Sequence, residues 1–183
     1  RRTLFNFDND ATSCYDRIVV PLASVINRKY GLHRKVVAVH ANTLHAAKYH
    51  LKTALGVSES YYSTCHQYPI HGTGQGSGNS PSIWLFISST LFEVHSSLSY
   101  GATFTSPDGS QSITLSMVGF VDDSTGSLND FQPQSEASFQ ELLRRMQHDA
   151  QLWNNLLYCS GGKLELPKCS FHVLRFEFRP NGT

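Results

Sequence analysis

The spacing of apolar residues predicts a strand and then two helices in the first third of the chain. Apolar and polar residues alternate over 3–10, the period of a half-buried strand. Apolar residues recur with helical spacing over 17–30, where Pro21 comes early enough to lie in the first turn. A second helical run covers 34–55 and is expected to end at Gly56.

The remainder of the chain predicts a mixture of strands and helices. In order, these are a strand at 60–71, an apolar helix at 81–98, a hairpin at 101–121, an amphipathic helix at 137–157 and a strand at 163–178. The hairpin is expected to turn at Asp108-Gly109, because this dipeptide tolerates the left-handed backbone of a tight turn.

This order of elements is typical of an α+β domain in which helices pack on one face of a mainly antiparallel sheet. A chain of 183 residues fits one such domain, spanning residues 1–183. Because the chain begins at Arg1 and ends in RPNGT without a closing element, we expect it to be part of a longer protein.

Charge and cysteine content narrow the functional class only a little. The formal net charge of +1 argues neither for nor against a nucleic-acid partner. The four cysteines form no C-x-x-C pair, which predicts neither a zinc site nor a disulfide framework and favours a reducing, intracellular setting. No apolar run approaches the length of a membrane-spanning helix, so no membrane partner is expected.

Acidic residues cluster at two predicted strand ends. Asp8 and Asp10 share one face of the first strand, and Asp122 and Asp123 are adjacent in the stretch GFVDDST. Two like charges about 4 Å apart repel by roughly 4 kcal/mol at an effective dielectric of about 20. Alone, the pair at 122–123 favours a solvated turn. If the two strand ends are neighbours, the carboxylates converge and suit a hard cation such as Mg²⁺.

A glycine-rich segment, HGTGQGSGNSPSIW at 71–84, precedes the helix at 81–98. Its glycines let the backbone pass close to a ligand, either as a phosphate cradle or simply as a flexible connector. Ser80 is expected to cap the helix and Pro81 to lie in its first turn. The segment lacks the Lys-Ser/Thr ending of a P-loop.

Four segments, taken together and in this order, resemble the palm of reverse transcriptases of the group II intron and non-LTR retrotransposon type. They are FDNDATSCYD, GTGQGSGNSP, GFVDD and GGKLELPKC. The first has two aspartates six residues apart, the second Gln-Gly followed by Ser-Pro, the third an aromatic residue before two aspartates, and the fourth a glycine and a lysine. The resemblance covers roughly residues 3–178 and implies an RNA-directed DNA polymerase palm, with fingers and thumb largely missing from this chain.

The resemblance also implies roles for individual residues. Asp10, Asp122 and Asp123 would be catalytic and would hold two Mg²⁺ ions, or Mn²⁺ in their place, with Asp123 the more peripheral. Lys168 would lie near the triphosphate as a proton donor to pyrophosphate. Substrate contacts would come from Tyr15 as a steric gate against ribonucleotides, Gln75 and Gly76 on the nucleotide and template side, and Phe120 and Val121 beside the primer end. Asp8 would be accessory or solvated, and Asp16 would cap the following helix.

The partners implied are an RNA template, a DNA primer and deoxynucleoside triphosphates, in a protein from a retroelement. Because phosphate contacts dominate such affinities, this segment is expected to bind primer–template poorly without fingers and thumb. One alternative is the palm of a viral RNA-dependent RNA polymerase, although Val121 and Ser80-Pro81 differ from the glycine and Ser-Gly usual there. Another is an inactive or domesticated reverse-transcriptase-like domain that serves as a nucleic-acid-binding scaffold.

Overall fold

The computed structural model describes residues 3–74, 76–129 and 136–175. The chain divides into two compact units. Unit 1 comprises residues 1–14 and 88–183, and unit 2 comprises residues 15–87.

The described strands are β1 Thr3–Asp10, β2 Lys48–Thr53, β3 Gly56–Ser63, β4 Ala102–Thr105, β5 Ser112–Leu115, β6 Met117–Phe120, β7 Asp123–Asn129 and β8 Ser170–Arg175. The described helices are α1 Cys14–Arg17, α2 Val20–Lys29, α3 Arg34–His45, α4 Ser80–Leu98 and α5 Glu136–Cys159, with a short 3-10 turn at Leu166–Lys168. Across these ranges, every helix is too short or too polar to span a lipid bilayer.

Unit 1 is built on a four-stranded sheet with the order β6-β7-β1-β8, in which each neighbouring pair is antiparallel. The central strand β1 alternates as the sequence predicts. Phe5 and Phe7 are buried, whereas Asp8 and Asp10 on the other face are partly exposed. The burial of one face and the partial exposure of the other fix the register of β1, because a slip of one residue would bury the aspartates.

Helices α5 and the second half of α4 cover the apolar face of this sheet. The ring of Phe139 on α5 lies 5.7 Å from that of Phe5, and Phe92 on α4 stacks on Trp153 at 5.0 Å. The predicted helices at 81–98 and 137–157 are confirmed with small changes of bounds. The predicted α+β class, an antiparallel sheet with helices on one face, is likewise confirmed.

Strand β7 was not predicted, because its sequence DSTGSLN has few of the residues that favour strands. One of its inward positions, Gly126, is small for a packing reason. A Cβ atom on Gly126 would lie 2.0 Å from the Phe7 ring of the neighbouring strand, so only glycine fits there. Phe7 of β1 thus requires glycine at position 126 of β7. Because this requirement comes from another strand, it is not visible in the local sequence pattern of β7.

Unit 2 contains helices α2 and α3 and the hairpin of β2 and β3. The predicted helix at 34–55 is wrong beyond His45, where α3 ends and the hairpin follows. Gly56 does not stop a helix but lies at the hairpin turn, with a φ of +128°. The apolar residues that suggested a longer helix do not share a buried stripe, since Leu51 is 64% exposed and Leu55 is 100% exposed.

Three other predicted strands differ in extent. The strand at 60–71 ends at Ser63, and the described part of the strand at 163–178 begins only at Ser170. The hairpin at 101–121 is present as β4 and β5, but its second strand ends at Leu115. The following strand, β6, belongs to a different sheet. The single-domain assignment for 1–183 stays a prediction beside the division into two units.

Candidate active site

Two of the predicted metal ligands are brought together at the end of the sheet of unit 1. Asp10 ends β1 and Asp123 begins β7, and the two residues are direct partners in the antiparallel register. Residues in such a pair have Cβ atoms about 4.5–5.5 Å apart on one face of the sheet. Two carboxylates therefore project side by side, which is unfavourable unless positive charge lies nearby.

The third predicted ligand, Asp122, lies in a two-residue turn between β6 and β7. Phe120 pairs with Asp123, which leaves Val121 and Asp122 as the turn residues. The backbone carbonyl of Asp122 accepts a 3.0 Å hydrogen bond from the amide of Ala11, the residue after Asp10. The turn is thereby attached to the end of β1. Phe120 and Val121, predicted to lie beside the primer end, are 79% and 46% exposed.

Val121 adopts a strained backbone conformation, with a φ of +57°. A β-branched residue is a genuine outlier in this left-handed region, and such strain costs of order 1–3 kcal/mol. The tight turn that carries Asp122 and leads into Asp123 thus requires valine to adopt a backbone conformation that it disfavours.

We expect Val121→Gly to raise the free energy of unfolding by about 1 kcal/mol, because glycine adopts positive φ without strain. Chemical denaturation measures the change. Val118→Gly is the matched control, since this valine is similarly exposed on β6 but has no positive φ, and its replacement should destabilise the strand. Equal destabilisation by both variants would show that the turn stores no strain.

A charged lysine contacts the first of these carboxylates. Nζ of Lys168 lies 3.1 Å from Oδ2 of Asp10, whose side chain is 19% exposed. The hydrogen bond to Asp10 and the charge of Asp10, with smaller contributions from Glu165 and Asp122, raise the pKa of the Lys168 ammonium above its usual value. Lys168 therefore remains protonated at neutral pH and partly neutralises the carboxylates.

Backbone hydrogen bonds hold the lysine-bearing segment against the end of β1. The amide of Glu165 donates to the carbonyl of Asp10 at 2.9 Å, and the amide of Thr12 donates to Lys163 at 2.8 Å. The hydroxyl of Thr12 also donates to the Glu165 carboxylate at 2.7 Å. Neither Glu165 nor Thr12 was predicted as a site residue, although both belong to segments that carry predicted site residues.

The predicted ligands of this cluster are carboxylate oxygens, and oxygen ligands suit a hard cation such as Mg²⁺. Among the described residues, however, no three His, Cys, Asp or Glu side chains are gathered closely enough to hold a metal ion. The ammonium of Lys168 also engages an oxygen of Asp10 that an ion would use. The residues fit magnesium in kind, and their assignment as ligands stays a prediction.

Asp8 has a separate set of partners on the same face of the sheet. Its carboxylate accepts a 2.6 Å hydrogen bond from the Thr125 hydroxyl and lies 3.1 Å from Nε2 of His172 on β8. Ser170 lies 3.0 Å from the same ring nitrogen. Asp8 is therefore engaged by residues of both neighbouring strands, and its accessory role stays a prediction.

The remaining predicted substrate contacts belong to unit 2 or lie outside the described residues. The carbonyl of Tyr15 accepts a 2.8 Å hydrogen bond from the amide of Thr73, which joins α1 to the glycine-rich loop. Gly76 in that loop has a φ of +90°. Gln75 lies outside the described residues. The roles of Tyr15, Gln75 and Gly76 stay predictions.

The glycine-rich loop is closely packed at its start. A Cβ on Gly72 would lie 2.6 Å from the backbone of Asp16, and its φ is +95°, so only glycine fits. The Ser80 hydroxyl donates to the carbonyls of Thr73 and Gly74 at 3.0 and 2.8 Å. Ser80 thus ties the loop to the first turn of α4, which it begins.

The predicted capping role of Asp16 is wrong. Asp16 lies inside the short helix α1, and the residue before α2 is Val19, which makes no side-chain capping bond. An N-cap must directly precede its helix for its side chain to reach the free amides of the first turn.

The fold is similar to that of solved telomerase structures. Apo telomerase from Candida tropicalis, truncated from the C-terminal domain, matches with a TM-score of 0.58 at 14% identity, over 96% of this chain and 31% of that chain. Telomerase from the same organism in complex with a TWJ fragment of telomeric RNA matches with a TM-score of 0.59 at 13% identity, over 93% and 26%. The corresponding complex from Candida albicans gives 0.58 at 14% identity, over 97% and 28%.

These likenesses bear on the fold alone, because the identities are low. The chain spans less than a third of the length of each of these telomerase chains. No protein-family profile matches the sequence. No curated protein matches it either. The chain therefore has a fold similar to that of these telomerase chains, which supports the architecture that the motif resemblance implies.

Proposed function

We propose that this chain is the palm of an RNA-directed DNA polymerase, which joins a primer 3′-hydroxyl to the α-phosphate of a deoxynucleoside triphosphate. The observation that carries the proposal is the pairing of Asp10 with Asp123 at one sheet end, beside the strained turn that holds Asp122. Lys168 contributes a positive charge at the same place. The similarity of its fold to that of the telomerase chains supports the proposal.

Asp10, Asp122 and Asp123 would hold two Mg²⁺ ions, or Mn²⁺, as carboxylate ligands do in such sites. Bound ions of this kind supply charge neutralisation and orient the attacking and leaving oxygens. The turn and the register of β1 and β7 supply the fixed positions of the three carboxylates.

Lys168 would assist the departure of pyrophosphate. As the primer 3′-oxygen gives up its proton to solvent and bonds to the α-phosphorus, the bond from that phosphorus to the pyrophosphate oxygen breaks. Nζ would give its proton to that leaving oxygen. A lysine is ordinarily protonated at neutral pH, and the contact with Asp10 raises the pKa of Lys168 further, so the proton is present. Proton donation by a positioned side chain typically accelerates a reaction about a hundredfold or more.

Tyr15, Gln75, Gly76, Phe120 and Val121 would contact the substrates. Phe120 and Val121 present exposed apolar surface on and beside the turn, which suits the sugar face of a primer end. An RNA template and a DNA primer are the partners proposed, and two of the similar telomerase structures contain an RNA fragment. An origin in a retroelement of the group II intron or non-LTR type is proposed on the sequence motifs.

Replacing Tyr15 by valine tests whether the product is DNA. If the ring excludes the 2′-hydroxyl, the preference for deoxynucleotides over ribonucleotides should fall about tenfold or more, as for the loss of a steric contact of this size. Single-nucleotide incorporation by the full-length protein measures kcat/KM for both sugars. Tyr68→Val, an exposed tyrosine of unit 2, is the control. Unchanged selectivity in Tyr15→Val would refute the assignment of Tyr15 as a steric gate. A preference of the wild-type protein for ribonucleotides would favour an RNA polymerase.

One observation favours the alternative of an inactive, nucleic-acid-binding scaffold. The described acidic side chains form no three-ligand cluster. A scaffold of this kind would bind a primer–template but would not extend the primer, whichever divalent ion is supplied. Primer extension with Mg²⁺ and with Mn²⁺ separates the two functions.

A further inference from the structure

The near-neutral charge of the whole chain conceals two units of opposite charge. Unit 2 has seven Lys and Arg and only two acidic residues, Asp16 and Glu59, so seven minus two gives +5. Unit 1 has eight Lys and Arg and twelve acidic residues, so eight minus twelve gives −4. Such segregation argues for an anionic partner at unit 2, which the total of +1 does not reveal.

The basic side chains of unit 2 are displayed to solvent. Six of the seven are exposed, namely Arg28, Lys29, Arg34, Lys35, Lys48 and Lys52. No acidic residue occurs between Asp16 and Glu59, so the segment that forms α2, α3 and β2 carries positive charge alone. The histidines of this segment add further positive charge when protonated.

The hairpin of β2 and β3 combines this charge with exposed aromatic rings. On one face, which we name the basic aromatic face, lie Lys48, His50 and Tyr61. Nζ of Lys48 lies 4.4 Å from the centre of the Tyr61 ring, and the His50 ring lies 5.9 Å from it. Tyr61 is 51% exposed, so its ring is accessible despite these neighbours.

The opposite face of the hairpin also bears rings. Tyr49 stacks on Tyr62 at 5.3 Å, and Tyr62 is 53% exposed. A two-stranded hairpin is at best marginally stable without a covered face. This hairpin is exposed along nearly its whole length, so a ligand that covers it would stabilise it.

We propose that the basic aromatic face binds single-stranded nucleic acid. Unpaired bases stack on exposed aromatic rings, and lysines beside the rings contact the phosphates, which is the general basis of sequence-tolerant single-strand binding. A duplex offers no free base faces to Tyr61, so it gains only the phosphate contacts. The inference goes beyond the proposed polymerase reaction, since it places an affinity for single strands in unit 2, apart from the carboxylates of unit 1.

Binding of a fluorescein-labelled 15-nucleotide RNA of mixed sequence, followed by anisotropy at several salt concentrations, tests this proposal. Tyr61→Ala should weaken the affinity about tenfold through the loss of one stacking contact. Lys48→Gln should reduce the slope of log affinity against log salt by about one. Glu59→Gln should tighten binding, because it removes the one carboxylate of the hairpin.

Two controls keep the outcome specific. Tyr158→Ala removes an exposed tyrosine of unit 1, and Leu55→Ala removes the fully exposed side chain at the tip of the same hairpin. Both should leave RNA binding unchanged. Primer extension is measured on the same variants, so that a failure of the polymerase proposal is distinguishable from a failure of this one.

The proposal is overturned if Tyr61→Ala and Lys48→Gln bind RNA as the wild-type protein does. It is also overturned if hydrogen exchange shows residues 48–63 fully protected in the full-length protein without RNA and unaffected by adding it. That second result would mean that another protein segment, not a nucleic acid, covers the hairpin.

Discussion

Primer extension should fall about a hundredfold or more when Asp10 is replaced by asparagine. The amide keeps the size of the side chain and can still accept a hydrogen bond from Lys168, so the local structure should persist. It lacks the negative charge that would neutralise a divalent ion opposite Asp123. A loss of about 3 kcal/mol of transition-state stabilisation corresponds to this change in rate. Single-turnover incorporation by the full-length protein measures it.

Asp108→Asn is the matched control for this experiment. Asp108 is an aspartate of the same unit at the turn between β4 and β5, where hydrogen bonds from Ser106 and Ser110 lower its pKa to about 2. Its replacement should disturb only that turn and leave extension unchanged. Normal extension by Asp10→Asn would refute the assignment of Asp10 as a catalytic ligand.

Truncation of Phe7 to alanine should cost about 3–5 kcal/mol of the free energy of unfolding. The ring is 1% exposed and packs over Gly126 of β7. Since Gly126 has no side chain, it cannot fill the space that the Phe7 ring would leave. A cavity of this kind adds to the loss of the buried apolar surface. Because Phe7 lies three residues before Asp10 on β1, the same change should loosen the strand that positions the site.

Phe120→Ala serves as the control for stability. Its ring is 79% exposed and lies on the opposite face of the sheet from Phe7, so its removal should change the free energy of unfolding little. Urea denaturation followed by circular dichroism compares the two variants. A small effect of Phe7→Ala would contradict the packing of β1 against β7.

The part of the fold with regular local patterns was predictable from the sequence. The alternation in β1 and the apolar runs of α4 and α5 correspond to surfaces that are buried in the structure. Strand β2 and the hairpin turn were mistaken for helix because their apolar residues, such as Leu51 and Leu55, are spaced as on a helix but are exposed. Periodicity predicts a secondary structure only where burial selects it.

The site was predictable in composition but not in arrangement. The motifs singled out Asp10, Asp122, Asp123 and Lys168. The pairing of Asp10 with Asp123 depends on β7, in which Gly126 is required by the neighbouring ring of Phe7. The contact of Lys168 with Asp10 depends on backbone bonds between segments more than 150 residues apart. Contacts of this kind are decided by tertiary packing and leave no short-range signal.

The total charge was the least informative quantity. A value of +1 gave no reason to expect an anionic partner, because the acidic residues of unit 1 balance the basic residues of unit 2. The expectation that this segment binds primer–template poorly followed from the absence of fingers and thumb, without regard to how charge is divided within the chain. The charge of each unit predicts the opposite for unit 2.

The most direct test of the polymerase proposal is the incorporation of one labelled deoxynucleotide onto a DNA primer annealed to an RNA template. The full-length protein should extend the primer by one nucleotide with Mg²⁺, stop when the ion is chelated, and resume when Mg²⁺ or Mn²⁺ is restored. No extension with either ion, from a protein that binds the primer–template, would contradict the account and favour a scaffold.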